Sequence, residues 1–228
     1  MFFEFRFWKH LFHQNELIES LKNPTVTVRN FEKRVWLVGI LGILLYVLQD
    51  MWGRNNEGLT SLFVLGYEDT YSIARITSLI STIIFSIIYM VFHFFVIAYL
   101  LHKMTGIQLS KASVIQLFVV SLLLMEKAVI FAVFAMLGYS TAFSFFSFGP
   151  LAATLLNNEF LIYFFNQLSI ITAVVIALQF RFLRAFTTMS TSKLMILLIV
   201  LHLVLAALTA GISVLPLDEW IERGLAVL

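Results

Sequence analysis

The chain alternates five long apolar stretches with short segments that hold most of its charged residues. A helix needs about 20 mostly apolar residues to cross about 30 Å of hydrocarbon, and each stretch is of that order. The pattern therefore predicts an all-α fold, a polytopic membrane helix bundle with five transmembrane helices. The predicted spans run from Val35 to Trp52, from Ile76 to Leu101, from Val114 to Leu137, from Phe160 to Phe180 and from Leu194 to Leu215.

Composition agrees with a chain that lies in lipid. Of the 228 residues, 61% are hydrophobic and 12% are charged, whereas a soluble domain averages about 45–50% apolar and about 25% charged residues. The net charge of +2 is too small to indicate a nucleic-acid partner. The absence of cysteine excludes disulfides, thiolate zinc sites and thiol nucleophiles.

Basic and acidic residues fall on opposite sides of the predicted spans, and short cytoplasmic loops favour Lys and Arg. One side holds Arg6, Lys9, Lys22, Arg29, Lys33, Arg34, Lys103, Lys111, Arg181, Arg184 and Lys193. The other side holds Arg54, Arg75 and Arg223, with Glu57, Glu68, Asp69, Glu159, Asp218, Glu219 and Glu222. We therefore expect a multi-pass protein of the cell membrane with a cytoplasmic N-terminus and an extracytoplasmic C-terminus.

This orientation divides the chain into three predicted regions. Residues 1–34 form a cytoplasmic amphipathic or interfacial segment, residues 35–215 form the five-helix transmembrane domain, and residues 216–228 form an extracytoplasmic tail. The uncharged outer segment from Gly138 to Asn158 cannot be a further span in this topology. We interpret it as an interfacial or re-entrant cover over the outer end of the bundle.

The N-terminal segment predicts an amphipathic helix over Phe5 to Gln14. At 100° per residue its aromatic and aliphatic side chains share one sector, and its basic and polar side chains share the other. Such a helix lies in the membrane surface, where anionic headgroups of the cytoplasmic leaflet attract its basic face. It serves either as a membrane anchor or as a docking helix for a partner protein. The candidate face comprises Phe5, Arg6, Phe7, Trp8, Lys9, Leu11 and Phe12.

Small and polar side chains recur along the predicted spans at helical spacing, and such stripes mediate close helix packing in lipid. Span one carries Gly39, Gly42, Tyr46 and Gln49, and span two carries Ser78, Thr82, Ser86, Tyr89 and His93. Because most of these side chains are small, they indicate tight packing rather than a wide aqueous pore.

Span three places Glu126 and Lys127 near its middle, where a charge costs several kcal/mol unless it is paired or hydrated. His93 of span two and His202 of span five lie at comparable, slightly more cytoplasmic depths. The hypothesis is a buried polar cluster of Glu126, Lys127, His93 and His202. It could fix the register of the helices, hold a proton or ion, or bind a metal.

Sequence signatures of catalysis are absent. The chain has no nucleotide-binding glycine loop, no His-Glu-x-x-His, no nucleophile elbow and no carboxylate pair at catalytic spacing. We therefore expect no enzymatic activity, no cofactor and no metal site. None of the three prolines lies inside a span, which argues against the interrupted helices that many transporters use.

Several polar landmarks resemble the bacterial branch of the Yip1 family of five-span membrane proteins. Phe94 to Gly106 resembles that family's helix ending in a loop glycine, and Tyr163 to Ile170 resembles the opening of its fourth helix. Arg181 to Lys193 resembles the basic loop before the last helix, and Leu21 to Pro24 resembles the entry to span one. The chain has a single glycine, Gly106, where relatives often have a pair, and Glu126–Lys127 matches no family site.

The resemblance implies a non-enzymatic membrane scaffold. Eukaryotic members act in vesicle trafficking with small GTPases, and some bacterial members accompany ABC-type exporters as assembly partners. We therefore expect a scaffold or assembly partner of a membrane complex such as an ABC-type exporter, in contact with other integral membrane proteins. The alternative is a small proton- or ion-coupled transporter or permease subunit that uses the Glu126 cluster.

Overall fold

A computed structural model describes residues 2–4, 9–10, 13–22, 27–54, 56–139, 141 and 143–215. The predicted extracytoplasmic tail, residues 216–228, lies outside the described residues. So does most of the predicted amphipathic helix, including Phe5, Arg6, Phe7, Trp8, Leu11 and Phe12.

The described chain is almost entirely helical, which confirms the all-α fold class. Its strands are one parallel pair of three residues each, β1 (Phe2–Glu4) and β2 (Thr27–Arg29). Its helices are α1 (Gln14–Lys22), α2 (Phe31–Met51), α3 (Thr60–Val64), α4 (Glu68–Thr105), α5 (Leu109–Met136), α6 (Gly149–Leu155), α7 (Glu159–Gln167), α8 (Ile170–Arg184) and α9 (Thr191–Ser213).

Three of these helices, α4, α5 and α9, are long and apolar enough to cross a membrane. They contain the predicted second span and nearly all of the predicted third and fifth spans, which extend one and two residues beyond the helix ends. All but the last residue of the first predicted span falls within α2, which has 21 residues and a length of about 31 Å at 1.5 Å per residue.

The residues of the predicted fourth span, Phe160 to Phe180, do not form one continuous helix. The helix breaks at Leu168–Ser169, between α7 and α8. A reciprocal cap closes the break, because Ser169 Oγ accepts from the Thr172 amide at 3.1 Å while Thr172 Oγ1 accepts from the Ser169 amide at 3.3 Å. Such an arrangement satisfies the free backbone groups of a new helix start, so no proline is needed.

The described residues form two compact units. The first comprises Met1–Ala142 with Leu178–Leu194, and the second comprises Phe143–Ala177 with Met195–Leu228. In the first unit α2 packs on α4 and α5 through Gly42. A Cβ atom at Gly42 would lie 2.3 Å from Cε of Met90 and 3.2 Å from Cδ1 of Leu124, whereas Gly39 of the same predicted stripe has no such neighbour within 4 Å.

One end of the first unit gathers the N-terminal helix and two loops. Arg181 donates to Asn15 Oδ1 of α1 at 3.0 Å. Thr187 Oγ1 donates to the Thr105 carbonyl at 2.9 Å, and the Lys111 amine lies 4.4 Å from the centroid of the Phe186 ring. The loop after α4 and the loop after α8 therefore lie together, as antiparallel hairpins would place them.

In the second unit, the segment before α6 packs against the helix break. The Phe148 amide donates to the Leu168 carbonyl at 3.3 Å, and the Ile170 amide donates to the Phe146 carbonyl at 3.0 Å. Asn166 Oδ1 accepts from the Ser144 amide at 3.0 Å and from Ser147 Oγ at 2.9 Å. Polar backbone groups at the break thus find hydrogen-bond partners within the protein.

Candidate functional site

A buried carboxylate at the end of α2 is the centre of the most extensive polar network that the structure describes. Asp50 is 3% exposed. Its Oδ1 accepts from Ser78 Oγ at 2.6 Å, from Thr82 Oγ1 at 3.2 Å and from Asn56 Nδ2 at 3.2 Å. Ser78 and Thr82 are four residues apart on α4, so one helix face presents both hydroxyls to the same oxygen.

The main-chain carbonyl of Asp50 is also heavily used. It accepts from Asn56 Nδ2 at 3.0 Å and from both terminal nitrogens of Arg75 at 3.3 Å. These bonds add to the one that the Gly53 amide donates to the same carbonyl at 3.0 Å, in the last turn of α2. The positive charge of Arg75 therefore lies at the α2 terminus, where the helix dipole favours it.

The Asp50 carboxylate nevertheless keeps one unused oxygen. Oδ2 is buried and has no hydrogen-bond partner among the described residues. The carboxylate also forms no ion pair in that part of the chain, since Arg75 bonds only to the main chain. The Oδ2 oxygen therefore has acceptor capacity left for a further hydrogen-bond donor.

Gln49 and Arg54 form a separate polar pair beside Asp50 in the chain. Arg54 donates from a terminal nitrogen to Gln49 Oε1 at 2.9 Å, and Gln49 Nε2 is buried without a partner among the described residues. Burial lowers the pKa of the Arg54 guanidinium, and interaction with Tyr46 opposes that shift. The Asp50 network is defined here without this pair, as Asp50, Asn56, Arg75, Ser78 and Thr82.

Sequence reasoning missed Asp50 altogether. It placed Gln49, Ser78 and Thr82 in packing stripes, and it counted Arg54 and Arg75 only toward orientation. One signal could have found the site: an acidic residue in the last turn of one span, followed by a serine and a threonine four residues apart early in the next span.

A second polar layer lies farther along the same helices, around Lys127. The amine of Lys127 lies 5.7 Å from the Tyr46 ring centroid and 5.6 Å from the Tyr89 ring centroid. Those two rings meet edge to face with centroids 5.6 Å apart. A cation over aromatic faces is attracted by their quadrupoles, so α2 and α4 together solvate a charge carried by α5.

His93 and Glu126 belong to the same layer. The His93 and Tyr89 ring centroids are 4.2 Å apart, and Glu126 lies within electrostatic range of Tyr89. His93 sits in a π-helical turn of α4, Phe92–Val96, a local irregularity often found at functional sites. Lys127 and His93 thus both lie close to Tyr89, a residue that sequence analysis had assigned to helix packing, and Glu126 precedes Lys127 in the chain. We call this group, with Tyr46, the Tyr89 layer.

His202 belongs to the second unit. Its Nδ1 is 2.9 Å from the carbonyl of Leu198, one turn earlier in α9. Its membership of the predicted cluster, and the role of that cluster, stay predictions. Among the described residues, no group of three or more His, Cys, Asp or Glu side chains could hold a metal ion.

Two further buried amides lie in the first unit. Gln116 of α5 is 0% exposed and Gln179 of α8 is 1% exposed. Neither amide has a partner for its oxygen or its nitrogen among the described residues. Because an unmade buried hydrogen bond costs roughly 1–3 kcal/mol, these two amides lower the stability of the apolar interior.

The described part of the N-terminal segment is a docked helix. Leu17, Ile18 and Leu21 on one face of α1 are buried, while Glu16 and Glu19 on the other face are exposed. Lys9, the one member of the candidate docking face that is described, pairs with Glu16 at 2.6 Å, and this hydrogen bond lowers the pKa of Glu16. The predicted amphipathic helix over Phe5 to Gln14 itself stays a prediction.

Comparisons with protein-family models, with curated proteins and with solved structures gave no match. The class of protein is therefore assigned from the sequence and structure of this chain alone. It is an all-helical protein with three helices long and apolar enough to cross a membrane, and its helix interior holds the Asp50 network and the Tyr89 layer.

Proposed function

We propose that this chain is a non-enzymatic integral membrane protein that acts as a scaffold or assembly partner of a membrane complex. In this proposal five segments cross the membrane, α7 and α8 together supply the fourth, the N-terminus is cytoplasmic and the C-terminus is outside. The distribution of Lys and Arg supports that orientation. The resemblance to the Yip1 family suggests an ABC-type exporter as the complex.

One observation carries the scaffold proposal. The apolar face of α1 is buried, and Asn15 ties the helix to Arg181. Glu16, Glu19 and Lys22 consequently point a fixed charged face outward, with exposed side chains in all three cases. A docked helix with a charged outer face gives a partner protein a preformed surface, which limits the ordering cost of association.

A pull-down from native membranes in gentle detergent, with mass spectrometry of the co-eluting proteins, tests this function. The informative variant replaces Glu16, Glu19 and Lys22 with Gln, because it erases the charged face and keeps the buried side chains of α1. The matched control replaces Lys193 with Gln, since that residue is exposed and at the start of another helix. We expect a stoichiometric membrane-protein partner with wild type and control, and its loss with the triple variant. Partner-free wild-type protein would contradict the scaffold function.

A second candidate function is supported by the helix interior. The unused oxygen of Asp50, the Lys127 amine between two tyrosines and the π-helical turn at His93 form polar features along α2, α4 and α5. Buried ionisable groups and irregular helices are typical of proton and ion pathways. The second proposal is therefore a small proton- or ion-coupled transporter, with Asp50 added to the Glu126 cluster.

Flux assays on the purified protein in liposomes separate the two functions. A transporter acidifies or alkalinises vesicles loaded with a pH-sensitive dye when an ion gradient is applied, and a scaffold on its own does not. Asp50→Asn and Lys127→Met should each abolish that flux, whereas Arg184→Gln, at the exposed last residue of α8, should preserve it. Wild-type vesicles that behave like protein-free vesicles would remove the transport function and leave the scaffold function standing.

A further inference from the structure

An arginine lies in a shallow aromatic pocket where two long helices end. Arg54 follows α2 by three residues, and it lines the pocket together with Trp52, Ile130, Phe131, Phe134, Tyr139 and Thr141. The Trp52 and Phe131 rings meet edge to face with centroids 6.4 Å apart. All of these residues belong to the first unit. We call this depression the Arg54 pocket.

The charge of Arg54 is only partly compensated. Its side chain donates to the neutral amide oxygen of Gln49, and it forms no ion pair with a carboxylate in the described part of the chain. The group stays charged at neutral pH, because an arginine is effectively always protonated. A partly desolvated guanidinium with spare N–H groups attracts an anion, above all one that can accept two parallel hydrogen bonds.

The surroundings of the Arg54 pocket define which anion fits. Tyr139 follows the membrane-length helix α5 by three residues, and Trp52 directly follows α2, so the pocket lies where membrane helices end. Trp52 and Tyr139 are 53% and 65% exposed, and these residue types favour the headgroup region of a bilayer. Phe131 and Phe134 lie deeper, on α5, and offer an apolar wall. A ligand with a phosphate at headgroup depth and hydrocarbon beside it matches both the Arg54 charge and this apolar wall.

We propose that the Arg54 pocket binds the phosphate of an anionic phospholipid. The guanidinium donates N–H bonds to the phosphate oxygens, and an acyl chain lies along Phe131 and Phe134. A zwitterionic lipid fits less well, because its ammonium group is repelled by the same guanidinium. This site is independent of the scaffold and transport functions, since it requires only that the chain reside in a membrane.

Native mass spectrometry of the delipidated full-length protein, titrated with phosphatidylglycerol or phosphatidylcholine, tests the site. We expect wild type to bind the first phosphatidylglycerol about tenfold more tightly than phosphatidylcholine, the scale of one charge-assisted pair. Arg54→Gln should reduce that preference to about twofold or less, and Arg54→Lys should keep most of it, because a lysine still supplies a point charge to phosphate. Equal affinities of wild type for the two lipids would overturn the proposal.

Arg184→Gln is the matched control, because Arg184 also donates to a single neutral oxygen, the Met189 carbonyl at 3.1 Å. It removes the same charge at the end of another helix, α8, and should leave the lipid preference unchanged. If Arg184→Gln lowered the preference as much as Arg54→Gln, the effect would be one of net charge and the pocket would have no special role.

Two measurements on wild type need no variant. Phosphatidylglycerol with a photoreactive headgroup should label peptides that contain Trp52 to Arg54 or Phe131 to Tyr139, and labelling confined to other peptides would contradict the assignment. Inorganic phosphate at 10-fold excess over the lipid (roughly a 1.4 kcal/mol advantage in mass action) should not displace it, because free phosphate lacks the acyl chains. Displacement would mean that the pocket takes free phosphate rather than lipid.

Discussion

Ser78 Oγ donates a 2.6 Å hydrogen bond to Oδ1 of Asp50, and this bond joins the last turn of α2 to the first half of α4. Thr82 adds a second hydroxyl from the same face of α4 at 3.2 Å. The Asp50 network therefore ties the two helices together at one end. Farther along, Tyr46 and Tyr89 repeat the contact with aromatic rings, so the α2–α4 pair is held by two polar layers.

The first prediction concerns the stability that this network contributes. Asp50→Ala removes the side-chain acceptor of Ser78 and Thr82, while Asn56 keeps the main-chain carbonyl of Asp50 as its acceptor. We expect the variant to lower the free energy of unfolding by about 2–4 kcal/mol, since each donor left without a partner costs roughly 1–3 kcal/mol. Asp50→Asn keeps one acceptor oxygen and should cost about half as much. Thermal unfolding in detergent, followed by tryptophan fluorescence, measures the difference.

Asp69→Ala serves as the control for that experiment, because Asp69 is exposed in the first turn of α4. It should change the midpoint of unfolding only slightly. An Asp50→Ala protein as stable as the Asp69→Ala protein would show that the Asp50 network does not contribute to the stability of the fold.

The second prediction concerns the close approach of Gly149 to Asn166 in the second unit. A Cβ atom at position 149 would lie 2.5 Å from Oδ1 and 2.7 Å from Cβ of Asn166. Asn166 cannot easily yield, because its Oδ1 already accepts from Ser144 and Ser147. We expect Gly149→Ala to lower the free energy of unfolding by about 1–3 kcal/mol, as overpacking does. Gly211→Ala, with no neighbour within 4 Å, should be neutral or slightly stabilising in the same thermal assay.

The fold was predictable where the length of an apolar stretch is enough to define a helix. The helix bodies α2, α4, α5 and α9 follow from apolar stretches. Gly106 ends α4 in the left-handed conformation that a loop glycine suggests, with φ of 72°. The break between α7 and α8 was not predictable from hydropathy, because a serine and a threonine are common within helices. Only their side-chain bonds to the backbone show that Ser169 and Thr172 start a new helix.

The candidate site divides in the same way. Glu126 and Lys127 stand out because charges in the middle of a span are rare. Asp50 does not stand out in the sequence, because a carboxylate at the end of a span can be either exposed or buried. Only the tertiary pairing of α2 with α4 distinguishes the two. Lys127 over two tyrosine rings likewise depends on three helices, and sequence spacing within one helix carries no information about it.

The third prediction concerns what holds the Lys127 charge. If the rings of Tyr46 and Tyr89 solvate it, Lys127→Met and Tyr89→Leu should be coupled in a double-mutant cycle by about 1–2 kcal/mol, the size of a partly desolvated cation–π contact. Unfolding free energies of the wild type, the two single variants and the double variant give that coupling.

A parallel cycle pairs Lys127→Met with Phe95→Leu, whose parent side chain is an exposed aromatic on the same helix as Tyr89. It should give a coupling near zero. Additive effects for Lys127 and Tyr89 as well would mean that the rings do not stabilise the amine.

The fourth prediction concerns the pH dependence of the Lys9–Glu16 pair. The hydrogen bond from Lys9 holds the pKa of Glu16 below the usual value of 4.5. For a depressed carboxyl pKa, the contribution of the pair to stability is present above the unfolded-state pKa and is lost as the pH falls through the folded-state value. A carbon-13 NMR titration of the Glu16 carboxyl should therefore show a midpoint below 4.5.

The Lys9→Gln variant removes the cause of that shift and should return the Glu16 midpoint toward the usual value. Both side chains of the pair are about half exposed, at 51% and 50%, so salt should screen their attraction. At about 1 M ionic strength, where the Debye length is about 3 Å, the wild-type midpoint should approach that of Lys9→Gln. A wild-type midpoint that did not respond to salt or to this variant would mean that Lys9 and Glu16 are not paired in solution, and that α1 is fixed by its buried leucines and by Asn15 alone.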